Sequence, residues 1–205
     1  VLETLDHSLS CTPGHTLELK WPNDVLLDGR KVAGILCERH LPASDTDHHA
    51  SAPPLPAPTP SFVLEATGSP APAHASLVVG IGVNLNCSLP DIGPDTRFPA
   101  TSLRHATGRH SDLQAFIVRC AQRVEAHFHD LSRAGLTPDL VDHVRARLAF
   151  LEQSVTLRTA EQTFTGTVAG LSRHGELLVR LGTELKALDA GEVFGLSPLE
   201  ATGAR

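Results

Sequence analysis

Methionine is absent from the 205 residues, and tryptophan occurs once, at Trp21. A complete translated chain opens on methionine, so the start at Val1, with no targeting pattern, reads as a processed or truncated piece. No apolar run approaches the roughly 20 residues a membrane span needs. The four cysteines, Cys11, Cys37, Cys87 and Cys120, show no CxxC spacing. Scattered thiols suit a reducing interior, the cytoplasm, better than a disulfide framework or a zinc site. Positive charge is sparse as well. Lys and Arg together number 17 and the formal net charge is −6, which argues against sequence-independent nucleic-acid binding. There is no helix-turn-helix pattern either.

What is present centres on residues 19–38. Asp28-Gly29 is a strong turn signal between Val25-Leu26-Leu27 and the run Val32 to Leu36, so the piece reads as two strands joined by a tight hairpin. Lys20, Asn23, Asp24 and Lys31 punctuate its apolar runs. On rigid backbone such residues could hold a phosphate and a metal ion. Read alone, Lys20 is as readily a solvated lysine at a strand end, and Trp21 is more readily core packing than a stacking platform.

Residues 16–21 alternate like a strand entering this stretch, whereas residues 1–14 carry no clear signal beyond a turn at Cys11-Thr12-Pro13-Gly14. Residues 41–75 hold eight prolines, eight alanines, no Lys or Arg, and one aromatic, Phe62. Ordering backbone costs roughly 1–2 kcal/mol per residue, with little apolar surface here to offset it, so this tract reads as a disordered insertion. Ser61 to Ala66 is a weak strand candidate inside it. His48-His49, with His40 nearby, is read as a chance cluster rather than a metal site.

Order returns at Ser76 to Asn86, a Val- and Ile-rich run expected to form a central strand buried on both faces. Gly80 and Gly82 would admit a ligand or another backbone closely, and Asn84 and Asn86 either serve a site or simply end the strand. Cys37 is expected to be a buried thiol. Residues 87–110 read as a long loop. A helix follows with Ser111 and Gln114 as capping box and Gly135 as terminator, and another opens at Thr137-Pro138 and runs to about Leu151. From Ser154 the period drops to two, with short strands expected at 155–157, 163–171, 176–181 and 185–188. About 45 such residues make a small closed or half-closed β-barrel.

Lys20-Trp21-Pro22-Asn23-Asp24, followed by Gly29-Arg30-Lys31-Val32-Ala33-Gly34-Ile35-Leu36 and Glu38, resembles the signature of biotin–protein ligases, also called holocarboxylase synthetases. Val79-Gly80-Ile81-Gly82-Val83-Asn84 and Ala100-Thr101-Ser102-Leu103 resemble later family segments. Gly166 to Leu171, Gly175 to Val179 and Gly191-Glu192-Val193 are similar to the family's C-terminal SH3-like barrel. The resemblance implies an α/β (α+β) fold: a mixed sheet with helices at 1–152, then the barrel at 153–205.

It also implies a function. Such enzymes activate biotin with ATP to biotinyl-5′-adenylate, then transfer biotin to a lysine of the biotin carboxyl carrier domain of a carboxylase. Lys31 and Asp24 would be catalytic. Lys20, Trp21, Asn23, Lys31, Gly34, Gly80, Gly82 and Asn84 would bind substrate or nucleotide, and Asp24 with Asn23 would hold Mg²⁺. A cation about 4 Å from a developing negative charge is worth roughly 4 kcal/mol at an effective dielectric of 20. An acceptor lysine of ordinary pKa is a free amine in only about one molecule in 2,500 at pH 7, so a carboxylate such as Asp24 could orient the amine and take its proton. Partners are then biotin, ATP and the carrier domain, with no nucleic acid and no membrane, and a homodimer is allowed. The family also carries an upstream Arg- and Gly-rich loop that is not found in this sequence, which would leave the chain alone inactive. Lipoate ligation and a non-catalytic carrier-binding fragment are the alternatives.

Overall fold

The computed structural model describes residues 1–40, 76–92 and 98–195. The proposed insertion, the strand candidate at Ser61 to Ala66 and the pair His48-His49 lie outside the described residues.

The first element is a helix, α1 (Leu2–Leu9), that sequence reading missed. Its signal was Leu2, Leu5 and Leu9, spaced i, i+3, i+7 on one face; Leu5 and Leu9 are buried. Strands β1 (Leu17–Lys20), β2 (Asp24–Leu27), β3 (Arg30–His40) and β4 (Ser76–Val83) form a four-stranded sheet in that order. Asp28 and Gly29 both take positive φ (51° and 71°), which a two-residue hairpin turn requires. The Asp28 carboxylate accepts from Thr16 N–H at 2.9 Å and meets His15 Nδ1 at 2.7 Å, tying the hairpin tip to the start of β1. Burial alone would raise the Asp28 pKa, but the Thr16 and His15 contacts outweigh it and hold the carboxyl below its ordinary value.

The chain divides into two compact units, residues 1–34 with 83–205, and Ile35–Gly82. The second contains residues 35–40 of β3 and residues 76–82 of β4. Two expectations fail there. Cys37 is exposed rather than buried, and β4 is not buried on both faces, since Leu77 and Val78 are 49% and 38% exposed. A run of apolar residues reports what a strand can bury. Being last in the sheet order, β4 has a described neighbour strand on one side only.

Residues 87–110 are more ordered than a loop, with short helices α2 (Leu89–Ile92) and α3 (Leu103–Thr107). The long helix α4 (Leu113–Ala134) is capped by Asp112, whose carboxylate accepts from Ala115 N–H at 3.1 Å; Ser111 is not the cap. Instead Ser111 is held on both sides by the Asn86 amide, which donates to Ser111 O and accepts from Ser111 N–H, each at 2.9 Å. Thr137 caps α5 (Pro138–Arg145) as expected. This helix ends six residues short of Leu151, because Leu148 turns out to bridge to Leu19 of β1.

Strands β5 (Ser154–Arg158), β6 (Thr163–Leu171), β7 (Leu177–Leu181), β8 (Glu184–Leu188) and β9 (Glu192–Gly195) form a second sheet, ordered β8-β7-β6-β5-β9. All its registered pairs are antiparallel. Val155, Leu157, Val168, Leu177, Val179 and Val193, the alternating inward residues, bury its core almost completely. Among the described residues no helix is long and apolar enough to cross a membrane.

Candidate functional site

Strand register places the charged residues of the opening hairpins on one face. Lys20 pairs directly with Asp24, and Asp24 with Gly34, so all three share a face of the sheet. Lys31 lies three residues before Gly34, and in a regular strand it would point to the opposite side. The register shift between Val25 and Leu26 prevents this. Val25 pairs with Ala33 and Leu26 with Lys31, leaving Val32 as an extra residue on β3. This bulge turns Lys31 back to the face of Asp24. Backbone contacts hold the bulge: Lys31 N–H donates to Pro99 O, Lys31 O accepts from Thr101 N–H, and Val32 O accepts from Asn84 N–H, at 2.8, 2.9 and 2.8 Å.

The result is one carboxylate between two ammonium groups. Asp24 is 7% exposed and Lys20 only 4%, so the solvated reading of Lys20 does not hold. Lys20 Nζ donates to Asp24 Oδ2 at 3.2 Å, and Lys31 Nζ stands 2.5 Å from Oδ1. The second contact is an ion pair without hydrogen-bond alignment, since Oδ1 has no hydrogen-bond partner. Lys31 is more open, its side chain 39% exposed. Gly34 makes room for it: a Cβ there would sit 3.2 Å from Lys31 Cε and Nζ and 3.4 Å from Asp24 Oδ1. Lys20 Nζ also lies 5.2 Å from the centre of the Phe98 ring.

The other expected residues are placed as follows. Asn84 is part-buried and spends its amide on Thr101 O, at 3.0 Å, bracing the segment that holds Lys31. Asn23 is exposed in the turn before β2. The Trp21–Pro22 peptide is cis. Trp21 points its indole N–H at Gly175 O, 3.1 Å away in the second sheet, and its ring packs on that sheet's core. Gly80 and Gly82 lie in the other unit, where a Cβ at Gly80 would only touch Leu36 and one at Gly82 would meet open space. Phe98, Thr101 and Ser102 were not expected at the site. Their signal was weak because their role is to brace backbone and pack, as with Ser102 Oγ, which donates to Cys87 O at 2.7 Å and caps α3.

The balance of charge at this cluster bears on ligands. Two ammonium groups against one carboxylate leave an unbalanced positive charge, which favours an anion. The same balance disfavours Mg²⁺ at Asp24 and Asn23, because both carboxylate oxygens already face cations. Among the described residues no three His, Cys, Asp or Glu side chains group as metal ligands. Cavities of about 440 Å³ (Cys87, Ser88, Pro90, Arg104, His105) and about 650 Å³ (Leu136, Pro138, Val141, Asp142, Leu171, Arg173, His174) lie elsewhere, and neither is lined by Lys20, Asp24 or Lys31.

Fold and site thus define an α+β protein that presents a small cationic cradle beside a second β-sheet. Residues 1–52 match the Biotin/lipoate A/B protein ligase family, and residues 150–195 match the Biotin protein ligase C terminal domain. The chain is 31% identical over 188 residues to the biotin--[acetyl-CoA-carboxylase] ligase of Paracoccus denitrificans, covering 91% of this chain and 66% of that one. With the bifunctional ligase/repressor BirA of Bacillus subtilis it shares 24% identity, covering 88% of this chain and 46% of that one. Among solved structures, the biotin protein ligase of Aquifex aeolicus superposes with TM-score 0.67 in its apo form (23% identity, 94% of this chain, 68% of that one). In complex with biotin and ATP it does so with TM-score 0.65 (22% identity, 94% and 67%). The chain belongs to the biotin protein ligase family, and it spans from about half to two thirds of the length of these curated relatives.

Proposed function

We propose that the chain is the greater part of a biotin–protein ligase, which activates biotin with ATP to biotinyl-5′-adenylate and passes biotin to a lysine of a carboxylase carrier domain. The observation that carries this reading is the convergence of Lys20 and Lys31 on one buried carboxylate, within the segment that matches the ligase family. Lys31, the more open cation, faces the carboxylate and α-phosphate as negative charge gathers there, and being fixed by Asp24 it needs little reorganisation. Asp24 holds the two lysines in place. With both oxygens turned toward ammonium groups, it serves better as this organiser than as a metal ligand or base. Mg²⁺ enters the reading as the counter-ion of ATP. Gly34 lets Lys31 fold over Asp24, and Trp21, Asn23 and Asn84 frame the substrates or the backbone around them. The boundary between catalytic domain and C-terminal domain falls at 152/153, one residue before β5 begins. Four free thiols suit a cytoplasmic location.

Lipoate is the second reading, because the family matched by residues 1–52 includes lipoate ligases. The biotin-type C-terminal domain favours biotin. ATP–pyrophosphate exchange separates the readings, measured with biotin and with lipoate on this chain and on a version extended upstream by the corresponding segment of the Paracoccus ligase. Biotin-dependent exchange is expected only in the extended form, with Lys31→Ala lowering it at least a hundredfold while the melting temperature holds. Lipoate dependence would overturn the substrate. Absence of exchange in both forms would leave a carrier-binding fragment as the function, and wild-type exchange by Lys31→Ala would remove that lysine from the mechanism.

A further inference from the structure

Three separate contacts flank Lys20; two lead to the C-terminal sheet and one to the segment just before it. On one side Leu19 is locked by backbone: its N–H donates to Arg147 O at 2.6 Å, and its carbonyl accepts from Ala149 N–H at 2.9 Å. On the other side Trp21 donates its indole N–H to Gly175 O. Above the ammonium group lies the Phe98 ring, which meets Phe150 edge-on with centroids 6.4 Å apart at 76°. Phe150 in turn fills the space beside Gly195 of β9, where a Cβ would come within 3.0 Å of its ring.

The acceptor of the Trp21 bond is itself held rigidly. Gly175 sits in the β6–β7 turn with φ 82°, and its N–H donates to Ser172 O at 3.0 Å. Ser172 N–H donates to Glu176 O at 2.9 Å, and Ser172 Oγ accepts from His174 N–H while donating to Glu176 Oε2 at 2.7 Å. A carbonyl braced this way fixes the indole, and the indole fixes the residue between Lys20 and the turn to Asp24.

We infer that Trp21 is a positioning residue, and that through it the braced β6–β7 turn of the C-terminal sheet sets where the Lys20 ammonium stands against Asp24, and so where Lys31 is held. The C-terminal sheet is then part of the cationic cradle's support. The inference concerns the arrangement of charges and stands whether or not the cradle serves biotin, so its test needs no substrate.

The chain contains only three lysines, Lys20, Lys31 and Lys186, which makes their ammonium groups resolvable by NMR in lysine-labelled protein, with Lys→Arg variants giving the assignments. Lys186 lies on β8, its ammonium 5.3 Å from the centre of the Phe164 ring, and serves as internal control. Ser172→Ala removes the turn's brace without touching the cradle, and Trp21→Phe removes the indole N–H while keeping a ring. Both are expected to speed proton exchange at the Lys20 ammonium by up to about tenfold, the scale of one hydrogen bond, and to move its chemical shift. Lys186 should be unchanged, and Ser172→Thr, which keeps the hydroxyl, should restore the wild-type Lys20 signal. An unchanged Lys20 signal in both variants would overturn the inference. So would equal changes at Lys20 and Lys186, which would mark a general loosening of the fold. Loss of pyrophosphate exchange with an unperturbed Lys20 signal would count against the clamp and leave the ligase reading intact.

Discussion

Asp24→Asn strands a buried cation, and the size of the effect follows from the geometry. Lys20 is 4% exposed and its ammonium has Asp24 Oδ2 as carboxylate partner at 3.2 Å. Removing one partner of a buried pair costs about 3–5 kcal/mol. The Phe98 ring offsets only about 0.5–2 kcal/mol. At about 2–4 °C per kcal/mol for a chain of this size, the melting temperature should fall by roughly 6–20 °C. Lys20→Met should behave differently. It leaves Asp24 with Lys31 at 2.5 Å and puts an apolar chain against Phe98, so the loss should stay below about 2 kcal/mol. Adding Lys20→Met to Asp24→Asn should then recover most of the stability, a coupling of about 2–3 kcal/mol. Calorimetry on the two single variants and the double variant reads all three quantities. The reasoning fails if Asp24→Asn melts within about 2 °C of wild type, or if Lys20→Met is the more damaging change.

Gly34→Ala should leave the fold alone and disturb the site. Its Cβ would press on the flexible end of Lys31, and moving that ammonium from 2.5 Å to about 3 Å from Asp24 weakens the attraction by about 1 kcal/mol at an effective dielectric of 20. Because Lys31 is partly exposed, screening reduces this further, so ATP affinity in the extended form should drop about two- to fivefold with no change in melting temperature. A fall in stability larger than in affinity would contradict this account. The Asp28 carboxyl gives a pH test. Its pKa is lowered in the folded state, so its stabilisation is present above the ordinary carboxyl range and disappears as pH falls through the folded value. Asp28→Asn should therefore be less stable than wild type near neutral pH, with the gap closing on acidification. Parallel pH profiles for the two proteins would show that the His15 and Thr16 contacts do not act as described.

Much of the site was legible because local chemistry specifies it. Asp28-Gly29 demands a turn of positive φ, the apolar runs on either side demand strands, and the Lys-Trp-Pro-Asn-Asp signature names the family. The period-two pattern from Ser154 likewise announced the second sheet. What failed depended on neighbours. Ser76 to Asn86 has the composition of a buried strand, yet burial is a property of whatever packs on it, and β4 stands last in its sheet. Ser111 had the capping-box pattern, but its backbone was taken up by Asn86 and the next residue became the cap.

The sequence by itself determined the family, the two strand-rich regions and the charged residues worth watching. Only the tertiary structure decided how those charges meet. The bulge at Val32 exists because segment 99–101 and Asn84 bind the β3 backbone there, and it alone brings Lys31 to the face of Asp24. Lys20 is buried, its ammonium paired with Asp24 and 5.2 Å from the Phe98 ring, a contact between residues far apart in the chain. Trp21, read as core packing rather than a stacking platform, packs on the core of the second sheet and is tied to Gly175, 154 positions away. Pattern along a chain fixes local conformation, whereas the electrostatics of a site depend on distances that only packing sets.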